Sequence, residues 1–162
     1  MESRPAGPAD FDAILDLNAE SVSALSPLDI DRLGRLHSAA ALHRVAQRDG
    51  GIAGFVLAFR EGADYDSPNY RWFAQRYPRF LYVDRIVIAA SSRGQGVGSL
   101  LYRDVMAYAA AADIGLVTCE IDLEPANPVS ARFHAHLGFR EVGRQRYGEQ
   151  QKLVSLQVLE LG

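Results

Sequence analysis

Apolar residues near the N-terminus recur at three- and four-residue intervals. Phe11, Ile14, Leu15, Leu17 and Val22, with Asn18 on the same stripe, follow Pro8-Ala9-Asp10. That spacing predicts an amphipathic helix with Asp10 as its cap. A second helical stretch is predicted from Leu28 to Leu42, with Ile30, Leu33 and Leu36 turned inward. The period then changes. His43 to Gln47 and Ile52 to Phe59 read as two strands joined at Arg48-Asp49-Gly50-Gly51, because Asp-Gly supplies the positive-φ pair of a tight hairpin. Residues 61–78 mix turn formers with Tyr65, Tyr70, Trp72, Phe73 and Tyr77, and are expected to form a long connection between two strands.

Phe80 to Ile88 is dense in β-branched and aromatic residues, broken only by Asp84-Arg85, and predicts a central strand. Val97, Leu100, Leu101, Val105, Tyr108, Ala109 and Ala112 form one helical stripe suited to packing on a sheet. Leu116 to Leu123 is the next strand. Asn127-Pro128 opens a short helix that Gly138 closes, with Pro at its permitted first turn. Phe139 to Arg146 and Leu153 to Leu161 complete the pattern as two further strands.

At 162 residues, with 48% hydrophobic and 23% charged content, the chain matches one globular domain over residues 1–162. A formal net charge of -3 with no run of like charges argues against a nucleic-acid partner. Cys119 is the only cysteine and has no internal partner, and Met1 to Pro5 lead into no apolar signal core, so a reducing cytoplasm is expected. No apolar stretch approaches the ~20 residues that span a bilayer, so no membrane partner is expected.

Between the strand ending at Ile88 and the stripe beginning at Val97 lies Arg93-Gly94-Gln95-Gly96-Val97-Gly98-Ser99. A glycine-rich strand-to-helix turn presents unpaired N–H groups and the positive end of a helix dipole, which suits a phosphate. Arg93 adds a guanidinium fork. An ordinary tight turn is the alternative. A dinucleotide fold would also want an acidic residue about 20 positions on. Glu120 stands near that distance, but too little chain follows the turn for a doubly wound sheet.

The pattern Arg-x-x-Gly-x-Gly resembles the pyrophosphate loop of the GNAT superfamily of N-acetyltransferases. A second segment, Asn127-Pro-Val-Ser130-Ala-Arg-Phe133-His134-Ala-His136-Leu137-Gly138-Phe139, is similar to that family's Asn-x-x-Ala/Ser-x-x-Leu/Phe-Tyr-x-x-x-Gly-Phe motif. His134 stands where many members carry tyrosine. The resemblance implies an α/β (α+β) fold with a mixed, mostly antiparallel central sheet, splayed in the middle and flanked by about four helices. It also implies acetyl-CoA as co-substrate, no metal, and a primary amine as acceptor. On this reading the chain is a monomer or homodimer, and a small amine or amino acid is favoured over a peptide or protein N-terminus because an aromatic loop would narrow the acceptor cleft. A non-catalytic acyl-CoA-binding module is the alternative function.

Acetyl transfer needs a base for an amine of pKa about 10.4 and a proton for the departing thiolate. Strand periodicity puts Thr118, Glu120 and Asp122 on one face, so Glu120 is the first candidate base and Asp122 the second. A solvated face or a salt bridge to Arg85 is the bland alternative. The resemblance assigns the cofactor to Ile86, Val87, Ile88, the turn from Arg93 to Ser99, Asn127, Ser130 and Phe133. It gives His134 the thiolate-protonating role; helical spacing turns His134 inward and His136 outward. Hydrogen-bonded packing for His134, capping for Asn127 and Ser130, and a structural ion pair for Asp84 and Arg85 are the competing readings. Asp84, Tyr65, Tyr70 and Trp72 are candidate acceptor contacts; Phe73, Tyr77, Asp64 and Asp66 could complete a pocket, against a locally packed loop.

Overall fold

A computed structural model describes residues 1–21 and 27–162, so Val22 lies outside the described residues. Seven strands, β1 (Glu2–Pro5), β2 (Leu42–Arg48), β3 (Gly51–Arg60), β4 (Leu81–Ile88), β5 (Leu116–Glu124), β6 (Arg140–Tyr147) and β7 (Lys152–Glu160), follow the ladder order β1-β2-β3-β4-β5-β7-β6. The β1–β2, β2–β3, β5–β7 and β6–β7 pairings are antiparallel, and β4–β5 is parallel. Among the described residues the α-helices are α1 (Phe11–Glu20), α2 (Ile30–Ala39), α3 (Pro68–Ala74), α4 (Val97–Ala111) and α5 (Pro128–Leu137). The chain divides into two compact units, one of residues 1–59 and 83–108, the other of residues 60–82 and 109–162.

In the first unit, Phe11, Ile14 and Leu17 of α1 join Leu33, Val45, Phe55 and Val87 in a buried cluster, as the helical stripe requires. The predicted turn is present, with Asp49 at φ 50° and Gly50 at φ 77°. Two expectations need correction. Asp10 does not cap α1; its carboxylate accepts the Gly7 N–H at 2.9 Å and both ends of the Arg4 guanidinium at 2.8 Å. The sequence hid this because Arg4 sits on β1, a short strand that no hydrophobic pattern announced. The second helix is shorter than predicted, capped by Asp29, which accepts the Arg32 N–H at 2.8 Å, so Ile30 falls at its first position and is 48% exposed. Leu33 and Leu36 are buried as expected.

In the second unit, residues 61–78 are not the open connection the sequence suggested. Ser67 accepts the Tyr70 N–H and Pro68 takes the first turn of α3, which raises the helix count from about four to five among the described residues. α5 follows its sequence signals: Asn127 accepts the Ser130 N–H at 3.3 Å, and Gly138 ends the helix at φ 106°. Among the described residues the parallel β4–β5 ladder consists of Leu81↔Val117 and Tyr82↔Thr118; beyond it β5 continues along β7, with Glu120↔Leu156 and Asp122↔Val154.

Candidate active site

Within the first unit, β4 leads into the glycine-rich turn. Asp84 and Arg85 form an ion pair at 2.7 Å with side chains 4% and 3% exposed, and Arg85 also donates to Asn18 Oδ1 on α1 at 3.0 Å. The pair therefore joins neighbours along one strand. Removing either charge would take a close opposite charge from a buried group. Val87 is buried in the α1 cluster, while Ile86 and Ile88 are half-buried. Arg93 to Gly96 are exposed, and Gly94 and Gly96 have φ of 74° and 85° with, among the described residues, no atom beyond their chain neighbours within 4 Å of where a Cβ would stand. These are positions where backbone conformation favours glycine, and they leave open space over the turn. Gln95 folds back, donating to the Ser91 carbonyl at 3.4 Å. Val97 is buried and begins α4, Gly98 is half-buried and Ser99 exposed, so the first N–H groups of a fifteen-residue helix face this turn.

Within the second unit, the two carboxylates of β5 have different partners. Glu120 is half-buried and its Oε2 accepts the Tyr82 hydroxyl at 2.6 Å. Asp122 pairs with Lys152 at 2.8 Å, with its side chain 9% exposed; burial pushes its pKa up while the Lys152 ammonium pulls the other way. Thr118, on the same face, is fully buried, and its hydroxyl oxygen has no hydrogen-bond partner among the described residues.

His134 is buried and His136 exposed, as the helical spacing predicted. His134 Nδ1 lies 2.8 Å from the Ser130 carbonyl and 3.2 Å from the Ser130 hydroxyl. A carbonyl only accepts, so Nδ1 carries the proton and Nε2 is the acceptor in the neutral ring. Burial lowers the pKa of His134, and the Ser130 carbonyl partly opposes this. The ring packs edge-on against Phe133 and Phe139 at 5.4 and 5.2 Å.

The aromatic residues of 61–78 separate into two groups. Tyr70 and Phe73 are buried, with Tyr70 contacting Phe80 and Tyr82 at 5.7 and 5.6 Å. The Tyr70 hydroxyl donates to the Arg60 carbonyl at 2.6 Å and accepts the Ala63 N–H at 3.0 Å, and burial raises its pKa. Tyr65 lies against Tyr70 at 5.6 Å, while Asp64 and Asp66 are exposed. Trp72 stays half-buried at the edge of α3. Sequence reasoning missed Tyr82 as the partner of Glu120 and Lys152 as the partner of Asp122. Both contacts depend on strand register, and no local spacing reports it.

The model of the acetyltransferase (GNAT) family matches residues 11–139. The chain belongs to this GNAT family. It is an acetyl-CoA-dependent acetyltransferase, so the dinucleotide reading of the glycine turn falls away. Among solved structures it is similar to Ard1 from Thermoplasma volcanium, with a TM-score of 0.81 at 15% identity over 99% of this chain and 97% of that one. It is similar also to Chaetomium thermophilum Naa20 in complex with a bisubstrate analogue, with a TM-score of 0.79 at 19% identity over 99% and 87%. A third is yncA, a putative acetyltransferase from Salmonella typhimurium with its cofactor acetyl-CoA, with a TM-score of 0.73 at 18% identity over 99% and 93%. At these identities the likeness establishes the fold. No curated protein matches the sequence significantly.

The GNAT turn suits the donor on its own geometry: two left-handed glycines, open space above them, an exposed arginine and a helix start. Among the described residues no group of three or more His, Cys, Asp or Glu could hold a metal ion, and no helix is long and apolar enough to cross a membrane.

Proposed function

We propose that the protein transfers acetyl directly from acetyl-CoA to a primary amine, with Glu120 as the base that takes the amine proton. The supporting observation is the Tyr82 hydroxyl at 2.6 Å from Glu120 Oε2, which holds the carboxylate in one orientation on its sheet face. Asp122 is the weaker candidate because Lys152 neutralises it within an ion pair. Acetyl-CoA supplies an activated acyl group as a thioester. The chain contributes the backbone N–H groups from Arg93 to Ser99 for its pyrophosphate, with Arg93 as a charged donor. The free backbone amides and carbonyls of Ile86 to Ile88 pair with the pantetheine arm, with one amide close to the thioester oxygen, as the family resemblance implies. Asn127, Ser130 and Phe133 carry further donor contacts by the same resemblance.

His134 occupies the thiolate-protonating position, but its geometry restricts that role. The neutral ring spends its one N–H on the Ser130 carbonyl, so only the imidazolium has a proton to give at Nε2, and burial displaces that form to pH below 6.5.

Two of the aromatic residues expected to narrow an acceptor cleft, Tyr70 and Phe73, are instead buried in the interior of their unit. Peptide acceptors are therefore open to this chain. Two neighbours of the same fold are named as ribosomal-protein-alanine N-acetyltransferases.

The test is a screen of small amines and N-terminal peptides reading CoA release, repeated with Glu120→Gln. On the best acceptor, kcat/KM near neutral pH should fall about 100-fold or more in the variant, and recover at higher pH as free amine accumulates. Acetyl-CoA affinity should be unchanged. Full activity of Glu120→Gln at neutral pH refutes the assignment.

A further inference from the structure

On the second unit a groove of about 510 Å³ runs between α3 and β6, bordered by Arg71, Trp72, Gln75, Arg76, Arg144 and Gln145. Its floor depends on a glycine. The Trp72 indole lies so close to β6 that a Cβ at Gly143 would stand 2.5 Å from Trp72 Cζ2 and 3.0 Å from Cη2, so only glycine lets the ring settle there. The Arg76 guanidinium stacks 3.8 Å above the same indole and donates to the Trp72 carbonyl at 2.9 Å. Gln145 is tied by its side-chain amide to the buried Asn69 at 2.8 Å. The walls are thus held before any ligand arrives.

The charge of this groove runs against that of the molecule. The chain has a formal net charge of -3, yet three arginines border the groove and, among the described residues, no carboxylate lines it. Arg144 is paired with Glu141 at 2.7 Å, whereas Arg71 and Arg76 make no ion pair among the described residues. Guanidinium forks of this kind match a carboxylate in shape and charge.

The register relates the groove to the proposed base. Glu120 is opposite Leu156, and Leu156 is opposite Gly143. Residues directly opposite in a sheet share a face, so the indole over Gly143 lies on the face that carries Glu120, and the Gly143 and Glu120 backbones are two strand spacings or about 10 Å apart. A free amino acid, with amine and carboxylate on one carbon, does not span a backbone separation of that size. An extended peptide advances about 3.3 to 3.6 Å per residue and can.

We propose that this groove receives the side-chain carboxylate of an acidic peptide, two or three residues from the N-terminal amine that Glu120 deprotonates. The assignment rests on the reading of Glu120 given above. Trp72 is the only tryptophan in the chain, so its fluorescence reports occupancy of the groove without any need for turnover. The experiment titrates that fluorescence with an Ala-Ala-Glu-Ala amide, its Gln counterpart and inorganic phosphate, in the native protein and in Arg71→Glu and Arg71→Lys. Steady-state acetylation of both peptides is measured alongside.

The Glu peptide should give a saturable change at least about 10-fold tighter than the Gln peptide. Arg71→Glu should abolish that preference and Arg71→Lys should keep part of it, with KM for the Glu peptide following and kcat little changed. Equal binding of the two peptides, or indifference to Arg71→Glu, overturns the proposal. Phosphate binding as tightly as the Glu peptide overturns it too, since the groove would then be a small-anion site. Peptide discrimination without any acetyl transfer would support the acidic preference of the groove and refute the Glu120 reading.

Discussion

Acid should destabilise this protein through one buried histidine, His43, and its contact with His37. His37 on α2 and His43 on β2 meet with their Nδ1 atoms 2.8 Å apart. One ring must donate and the other accept, so both cannot carry a proton at that contact. His43 is 8% exposed, packed near Phe11 and Phe55 at 6.5 and 6.3 Å, and its Nε2 has no hydrogen-bond partner among the described residues. Burial first, and then the charge of His37, push its pKa from 6.5 down to about 4, with Asp10 pulling weakly the other way. Between those values the unfolded chain holds a proton at His43 that the folded chain does not. Stability from this site is therefore fully present above pH 6.5 and is lost as pH falls toward 4. The interval from 6.5 to about 4, at about 1.4 kcal/mol per pH unit, sets a ceiling of about 3 kcal/mol. That is a large share of the ~5 to 15 kcal/mol typical of a domain. Urea unfolding from pH 7.5 to 4.5 should show the native protein losing about 2 kcal/mol or more beyond the loss in His43→Phe, whose ring is similar in size but does not titrate. The absolute stability of the variant is immaterial; the slope is what is compared. Parallel pH profiles would refute the reasoning. The Asp10–Arg4 pair acts in a separate window, because the Asp10 pKa is lowered from 3.8 and its contribution fades only below that value.

Gly54→Ala should destabilise by about 1 to 3 kcal/mol, lowering Tm by several degrees in a thermal melt, since the new Cβ would stand 2.6 Å from the Val87 carbonyl oxygen and 2.9 Å from Val97 Cγ1. An unchanged Tm would mean that β3 can shift away from α4 at no cost. Arg93→Ala should weaken CoA binding by about 1.5 to 3 kcal/mol by calorimetry, and Gly96→Val should weaken it as well, from a strained φ of 85° and a side chain above the turn. Undiminished affinity in a folded Gly96→Val protein would remove the pyrophosphate assignment. His134→Ala should lower kcat about 10-fold or more at pH 6 and little at pH 8, because burial leaves little imidazolium at the higher pH, with His136→Ala as the control. Equal losses at both pH values would assign His134 to packing alone.

The parts of this protein that were legible in its sequence are those whose cause is local. The α5 signals of Asn127, Pro128 and Gly138, the Asp49-Gly50 hairpin and the alternation along β5 all act within a few residues, and the structure repeats them. The glycine turn belongs here too, since positive φ at Gly94 and Gly96 is a property of the backbone itself. Two local features were still misread. α3 was obscured by the turn formers and aromatics around Ser67-Pro68, and β1 is too short for any period to show.

Tertiary structure decided what each functional group touches. The spacing of Glu120 and Asp122 shows only that they share a face; strand register gives one a tyrosine hydroxyl and the other a lysine ammonium, and so separates their chemistry. Tyr70 and Trp72 stand two residues apart on one short helix, yet one is buried in the interior of its unit and the other borders a cationic groove. The reason is physical. A side chain's secondary structure is set by neighbours in the chain, whereas its partners, burial and proton affinity are set by residues that only folding brings within a few ångströms, as Gly143 is brought beneath Trp72 from 71 positions away.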